Sequence, residues 1–357
     1  MRTVLSLING RQDVGHSPVF WAGFAIVVAG FLLYPTWAST FQAFNVAFYL
    51  LNIPMALGLC LLWGYCGVLS FGQVAFYGVA GYTYGVVAGN MMGSAGAGLL
   101  ASLAGLALAA VLAAVFGYFV FFGRVRNWII PILTLVLTLL LETFLGQTAG
   151  YQWRIGSVML GGYNGMTGIP GLQVGGLIFG GYNFYYLALG VVLVCYFGLR
   201  MLVNSHAGRV VVSIREDSLR TEMLGYDVRL WQLGIFVLSA VLAGVSGLLY
   251  VQWGNYIQPS ALGLLNAALP VIWVAVGGRQ SLLAVMIATF GLSWLNYSLS
   301  SAGNQYAMVI IGGLLVAVMM FAPRGIVIVL SEIGPRLRSL RQGADRRAHA
   351  KAKEEGT

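Results

Sequence analysis

Charged side chains are almost absent from long stretches of this chain, and that absence constrains the fold more than any other feature. Only 8% of the 357 residues are charged and 59% are apolar, whereas an ordinary soluble domain carries about 25% charged residues. Too few polar side chains exist to cover a globule, so lipid must surround most of the surface. The composition predicts a membrane protein and excludes a disordered chain or a nucleic-acid-binding protein.

Ten apolar segments are long enough to cross a bilayer, because a hydrocarbon core about 30 Å thick needs roughly 20 helical residues. The first is longer than the apolar core of a signal peptide, so we keep it as a span. The pattern predicts an all-α polytopic membrane protein with ten transmembrane helices. We place them at 18–36, 41–63, 68–89, 97–122, 128–147, 182–203, 231–253, 261–278, 281–300 and 305–322.

The basic residues determine the expected orientation. With both termini in the cytoplasm, 18 of the 19 lysines and arginines lie on the cytoplasmic side and only Arg154 lies outside, as the positive-inside rule requires. The expected organisation is a cytoplasmic segment 1–17, a membrane domain 18–330 with a cytoplasmic loop 204–230, and a basic tail 331–357. Ten spans also divide into two fives of opposite orientation, which would suit a 5+5 inverted repeat.

Motifs for catalysis are missing from the sequence. It contains no G-x-x-x-x-G-K-[ST] phosphate-binding loop, and its only lysines are Lys351 and Lys353 in the tail, so the chain cannot hydrolyse ATP alone. Its three histidines suggest no catalytic triad, and its three cysteines lack the spacing of a zinc site. We therefore expect a non-catalytic membrane protein without a metal or cofactor of its own.

Glu142 is the only acidic residue inside a predicted span. A charged side chain near the bilayer centre costs roughly 2.5 to 3.5 kcal/mol, so this one must avoid lipid. Thr138 and Thr134 lie four and eight residues earlier and share its helix face. The stripe either lines a translocation path or satisfies a neighbouring helix, with the threonines bonding their own backbone.

Two further polar stripes occur at helical spacing. Asn45 and Asn52 form one, and the other comprises Ser293, Asn296, Tyr297 and Ser300. Such groups either pack between helices or face a water-filled route. Asn52 and Asn296 therefore join Glu142, Thr138 and Thr134 as candidate residues of a solute path.

The cytoplasmic segment 204–230 combines charged and apolar residues at helical spacing. Its apolar residues are Val211, Ile214, Leu219 and Met223, and its charged residues are Arg215, Glu216, Asp217 and Arg220. The pattern predicts one short amphipathic helix over 208–225 that ends at Gly225, a residue suited to a C-cap. This helix either lies at the membrane surface or presses into a partner protein.

Several runs of sequence occur in an order that resembles one known family. They are LLWGYCGVLSFGQVAFYGVAGYT at 61–83, GGYNGMTGIPG at 161–171, GRVVVSIREDSLRTEMLGYD from 208, then IQPS, VAVGG and FAPRG at 321–325. Together they are similar to the permease subunits of branched-chain amino-acid ABC importers. The run VIWVAVGGRQSL at 271–282 resembles the urea-type branch of these permeases.

The resemblance implies a membrane subunit in the bacterial inner membrane that works with several partners. These are a second permease subunit, two ATPase subunits that bind ATP and magnesium, and a periplasmic or surface solute-binding protein. The solute would be small and polar, with a branched-chain amino acid as the expected one, and would cross by ATP-driven alternating access. Urea, an amide or another amino acid remains an alternative, as does a stand-alone secondary transporter or channel whose ion coupling would use Glu142.

The resemblance also assigns roles to residues. The loop that docks on the ATPase would contain Arg209, Arg215, Glu216, Asp217, Arg220 and Gly225. The family usually has small residues where this chain has Arg220 and Thr221. It commonly has His at the position of Gln73 and Asn at that of Cys60, and this departure makes Gln73 a further candidate for the solute path.

Overall fold

A computed structural model describes residues 18–301, except residues 95, 175 and 176, together with isolated residues between 306 and 320. The predicted cytoplasmic segment 1–17 and the basic tail 331–357 lie outside the described residues. So does the tenth predicted span, 305–322, apart from those isolated residues.

The described part of the chain is mainly helical and contains twelve α-helices. They are α1 Pro18–Leu33, α2 Thr40–Leu50, α3 Ile53–Leu59, α4 Gln73–Asn90, α5 Ala97–Phe122, α6 Ile130–Gly146, α7 Tyr182–Asn204, α8 His206–Glu216, α9 Ser218–Met223, α10 Val228–Gly254, α11 Leu264–Gly277 and α12 Leu282–Ser301. Short 3-10 helices cover Tyr34–Thr36, Tyr151–Trp153, Gly162–Asn164 and Pro259–Leu262, and a π-helical turn covers Cys60–Tyr65.

Six helical segments of the described residues are long and apolar enough to cross a membrane. They are Pro18–Thr36, Thr40–Tyr65, Ala97–Phe122, Tyr182–Asn204, Val228–Gly254 and Leu282–Ser301. Two other predicted spans are shorter apolar helices, the 17-residue α6 and the 14-residue α11. The predicted span 68–89 is the helix α4, which starts only at Gln73 because residues 66–72 are largely not helical. The all-α polytopic class is thus confirmed.

The second span is interrupted once, near Asn52. Helix α2 stops at Leu50, a turn contains Asn52, and α3 restarts at Ile53 with Pro54 in its first turn. A proline cannot donate a backbone hydrogen bond, so a break before it is the expected local outcome. The free N–H of Met55 donates to the Ser246 hydroxyl of α10 at 2.9 Å. Such broken helices are tolerated in a membrane domain only where protein or a cavity surrounds them.

Helix α10 lies at the centre of the bundle and packs against α3, α4 and α5. The buried face of α5 is formed by small residues, mostly four apart, which let helix backbones approach closely. They are Gly98, Ala101, Gly105, Ala109, Ala113 and Gly117. Large apolar side chains of α5, such as Leu103 and Phe119, are exposed, as expected for a lipid-facing surface.

The segment between α6 and α7 forms short antiparallel strand pairs. The strands β1 (Arg154–Ile155) and β2 (Val158–Met159) pair with each other, and so do β4 (Gln173–Val174) and β5 (Leu177–Ile178). The strand β3 (Met166–Thr167) pairs instead with β6 (Tyr256–Ile257), which follows α10. This pairing connects the segment between α6 and α7 to the C-terminal end of α10.

The prediction of one helix over 208–225 is wrong, because the chain breaks at Asp217. This residue has extended backbone angles, with φ −157° and ψ 102°, and separates α8 from α9. Its carboxylate accepts a hydrogen bond from the N–H of Arg220, so it caps the start of α9. Gly225 has φ +90° and ends α9 with hydrogen bonds from Gly225 N to Glu222 O and from Tyr226 N to Thr221 O, a Schellman motif.

Candidate functional site

A polar cavity of about 190 Å³ lies between the broken second span and helices α10, α11 and α12. Among the described residues, its lining contains amides, hydroxyls, aromatic rings and aliphatic groups, and no charged side chain. The lining residues are Phe48, Asn52, Met55, Val74, Tyr77, Tyr250, Gln258, Ala261, Asn266, Leu269, Trp273, Ser293 and Asn296. A concave site between helices with a few polar groups is the form expected of a small-molecule site in a helical bundle.

Two of the predicted path residues meet in this cavity. Asn52 lies at the break between α2 and α3, and its Nδ2 donates to the hydroxyl of Ser293 on α12 at 3.5 Å. Asn296 lies three residues after Ser293 and lines the same cavity. The helical spacing of Ser293 and Asn296 therefore places both on the side of α12 that faces the broken helix.

One wall of the cavity contains Gln258. Two sequence runs of the family resemblance, GGYNGMTGIPG and IQPS, position this residue. Gln258 lines the cavity just after the strand β6. The backbone N–H of Ile169 donates to the carbonyl of Asn255 at 3.0 Å, and Asn255 Nδ2 donates to the carbonyl of Ile169 at 2.8 Å. The GGYNGMTGIPG run is therefore bound to the chain that leads into IQPS and positions Gln258.

Gln73 does not line the cavity but is buried at the start of α4. Its Nε2 donates to the Ser239 hydroxyl of α10 at 3.1 Å, and that hydroxyl is 3.3 Å from Gln73 Oε1. Both side chains are at most 1% exposed. This pair joins two central helices, and a role of Gln73 in the solute path stays a prediction.

Thr134 and Thr138 are fully buried and bond to the non-helical segment before α4. The Thr134 hydroxyl accepts from the N–H of Phe71 at 3.1 Å, and Thr138 Oγ1 lies 3.4 Å from Phe71 O. Each hydroxyl also donates to a carbonyl of its own helix. Both threonines thus satisfy backbone groups that residues 66–72 expose by leaving the helix.

Glu142 lies on the same face of α6 but contacts a different element. It is half-buried, and a Cβ atom added to Gly263 would lie 3.1 Å from its Oε1. Gly263 precedes the first residue of α11, and the partial positive charge of a helix N-terminus favours a nearby carboxylate. Glu142 does not line the polar cavity, and its role in transport stays a prediction.

The helix pair α8–α9 buries some of its side chains against the rest of the protein and exposes the others. On α8, Val211 and Ile214 are buried, whereas on α9 Leu219 and Met223 are 61% and 79% exposed. Arg209 and Arg220 are also exposed. Arg215 points inward, with its side chain 21% exposed, and bonds to the carbonyl of Gly64.

Several cavity residues were not singled out from the sequence. Tyr77 and Tyr250 contribute aromatic rings, Trp273 contributes an indole, and Gln258 and Asn266 contribute amides. Gln258 stands in the IQPS run, which offered a signal. The aromatic residues lie in ordinary apolar helices, where nothing distinguishes a lining ring from a packing one.

The broken helix, the polar cavity and the six apolar spans of the described residues define a multi-pass membrane protein of the transporter class. The model of the family described as branched-chain amino acid transport system / permease component matches residues 40–319. The chain belongs to this family. It is a permease-type subunit of the bacterial inner membrane.

The relatives of this chain carry matching names. It is 28% identical over 301 residues to the high-affinity branched-chain amino acid transport system permease protein LivM of Escherichia coli K12, covering 78% of this chain and 68% of that protein. It is 25% identical over 289 residues to the corresponding permease protein BraD of Pseudomonas aeruginosa, covering 76% and 90%. A comparison with solved structures gave no match.

Proposed function

We propose that this chain is the membrane subunit of an ATP-driven importer that moves branched-chain amino acids through the polar cavity. The observation that carries the proposal is the cavity itself, built from a broken helix and lined by Asn52, Gln258, Asn266, Ser293 and Asn296. Membership of the permease family supports the transport role, and the names of its relatives support the solute.

The cavity chemistry suits a zwitterion with an aliphatic side chain. Amide groups of Asn52, Asn266 and Asn296 offer both donors and acceptors, so they can bond to a carboxylate and to an ammonium group. Met55 and Leu269 offer apolar contacts to the aliphatic part. Because none of the described residues that line the cavity is charged, these residues offer the solute no counter-ion that would hold it tightly. Translocation needs a site that releases as well as binds.

The partners proposed for this chain follow from the importer class. They are a second permease subunit, two ATPase subunits that bind ATP and magnesium, and a solute-binding protein outside the membrane. We place the ATPase contact on α9, because Leu219, Met223 and Leu224 expose an apolar patch beside exposed Arg220. Apolar groups grouped in this way on a surface mark an interaction site.

We also propose the finer topology, with ten spans, both termini in the cytoplasm and a 5+5 inverted repeat. The distribution of basic residues supports it, with 18 of 19 on one side. Single cysteines at positions 155 and 217 test the orientation, since both positions carry partly exposed side chains. The first should react with a membrane-impermeant reagent from outside and the second only from inside; the reverse pattern would contradict the topology.

Uptake by the reconstituted complex tests the function. Vesicles that contain this chain with its partner permease, ATPases and binding protein should accumulate labelled leucine, isoleucine or valine only when ATP is supplied. Uptake of urea and not of these amino acids would make urea the solute in place of the proposed one. Uptake without ATP would favour a secondary transporter or channel.

A pair of variants tests the route. Asn296→Leu removes an amide from the cavity lining and should reduce leucine uptake at least tenfold while the complex still assembles. Glu142→Gln changes the half-buried carboxyl outside the cavity and should leave uptake within about twofold. The opposite result would place the route along α6 rather than through the cavity.

A further inference from the structure

The side chain of Arg215 points from the cytoplasmic loop into the membrane domain. Its side chain is 21% exposed, whereas that of Arg220 is 85% exposed. Its Nη1 donates to the carbonyl oxygen of Gly64 at 2.6 Å, and its Nε and Nη2 both face Glu216 Oε1. Glu216 therefore orients the guanidinium, and the remaining nitrogen makes a charge-assisted hydrogen bond to the second span.

The Gly64 carbonyl is available because the helix of the second span ends here, with Tyr65 as the last residue of the π-helical turn Cys60–Tyr65 and Gly67 at φ +82°. In a continuing α-helix the N–H of Val68 would donate to Gly64 O. Here it donates to Leu62 O at 3.0 Å, and the N–H of Cys66 donates to Leu61 O. The end of the helix thus leaves an unpaired carbonyl, and the Arg215 guanidinium donates to it.

The other side of the π-turn contacts the connection between α11 and α12. A Cβ atom added to Gly64 would lie 1.5 Å from the carbonyl oxygen of Arg279, so only glycine fits there. The Tyr65 hydroxyl donates to the carbonyl of Gln280 at 3.0 Å, and Cys60 Sγ lies 3.4 Å from Arg279 O. Three elements therefore meet at this point: α8, the π-turn and the α11–α12 connection.

Each of the contacted elements leads to the polar cavity. The π-turn continues directly from α3, which carries Met55 and follows Asn52. The α11–α12 connection joins the helices that carry Trp273 and Ser293. A displacement of α8 transmitted to Gly64 would therefore move cavity-lining helices on two sides.

We propose that Arg215 is a positioning residue that transmits movement of the α8–α9 pair through the Gly64 carbonyl to the helices that line the cavity. This inference rests on the proposed importer function. Arg215 then acts inside the membrane domain, whereas the family resemblance implies that it belongs to the surface that docks on the ATPase. The exposed residues of α9 then contact the ATPase, and Arg215 transmits the movement of the α8–α9 pair to the membrane domain.

The test is the number of leucine molecules taken up per ATP hydrolysed by the reconstituted complex. In Arg215→Gln the ATPases should still co-purify, and hydrolysis should continue, but uptake per ATP should fall at least tenfold. Arg215→Lys keeps a cation that can donate to the carbonyl and should retain a third or more of the wild-type ratio. Arg126→Gln removes an exposed arginine between α5 and α6 and should leave the ratio unchanged.

Three results would overturn the inference. They are a wild-type ratio in Arg215→Gln, an equal loss in Arg126→Gln, or loss of the ATPases from the Arg215→Gln complex, which would make Arg215 a docking residue. Should Arg215→Gln fail to accumulate, Glu216→Ala carries the test, because Glu216 is exposed and orients the guanidinium. It should lower the ratio about threefold, and an unchanged ratio would reject the inference. A wild-type complex without ATP-dependent uptake would reject the importer function itself.

Discussion

Helices α8 and α9 follow each other in the segment between α7 and α10, yet the apolar residues of one are buried and those of the other are exposed. In α8, Val211 and Ile214 are buried against the membrane domain, whereas in α9 Leu219 and Met223 face outward. The break at Asp217 separates the helix with buried apolar residues from the helix with exposed ones. The proposed docking of an ATPase on α9 and the proposed transmission of its movement through α8 call for two apolar surfaces, whereas a single amphipathic helix has one apolar face.

The largest effect is expected from a charge on the outward face. Met223→Asp places an unpaired carboxylate where we expect the ATPase to bury an apolar side chain, and burying such a charge costs roughly 3 to 5 kcal/mol. The ATPases should no longer co-purify, although the permease should remain folded because Met223 is 79% exposed. Ser218→Asp adds the same charge to an exposed polar position of α9 and serves as the control. Normal association of the Met223→Asp variant would remove α9 as the docking surface.

Truncation on the inward face should affect stability instead. Ile214 packs with Val210 and Val228 in a small buried cluster, so Ile214→Ala should lower the free energy of unfolding by about 2 to 4 kcal/mol. Thermal unfolding of the purified chain measures this loss. At a temperature where the variant is folded, ATPase association should be normal. Weaker association at that temperature would show that both helices dock.

The break between the helices should depend on the cap at Asp217. Asp217→Ala removes the carboxylate that accepts from Arg220 N and should destabilise α9 by about 1 kcal/mol, the usual value of an N-cap. Asp217→Asn keeps a good cap and should behave like the wild type. Limited proteolysis within 217–225 reports the difference, and equal cleavage of the two variants would argue against the cap.

The smallest effect concerns the bond between the two helices. The hydroxyls of Thr221 and Ser213 lie 3.2 Å apart, and a bond of this kind contributes about 0.5 to 1.5 kcal/mol. A double-mutant cycle with Thr221→Val and Ser213→Ala should give a coupling energy of that size in thermal unfolding. Additive effects of the two substitutions would mean that the helices are not linked there.

The sequence predicted the class of the fold because apolar runs and basic loops obey simple physical rules. It did not predict the break at Asp217, since aspartate occurs both within helices and at their caps and periodicity alone does not distinguish the two. For the same reason Leu219 and Met223 were grouped with Val211 and Ile214. The shared apolar spacing was real, but it belonged to two helices with different surroundings.

The candidate site was predicted in part. Asn52 and Asn296 line the cavity, and their place in a solute path stays a prediction. Thr134 and Thr138 share a face with Glu142, yet their partner is the backbone of Phe71, which no spacing within α6 can reveal. Gln258 reaches the cavity through the pairing of β3 with β6, a long-range contact. Local patterns predict which residues share a face, whereas the element opposite that face depends on the tertiary fold.

Photocross-linking to the ATPase subunit tests the two-helix account most directly. A photoreactive residue at position 223 of α9 and another at position 211 of α8 would be compared in the assembled complex. If α9 docks on the ATPase and α8 packs on the membrane domain, we expect cross-links to the ATPase from position 223 and none from position 211, which is fully buried. Cross-links from position 211 without any from position 223 would contradict it.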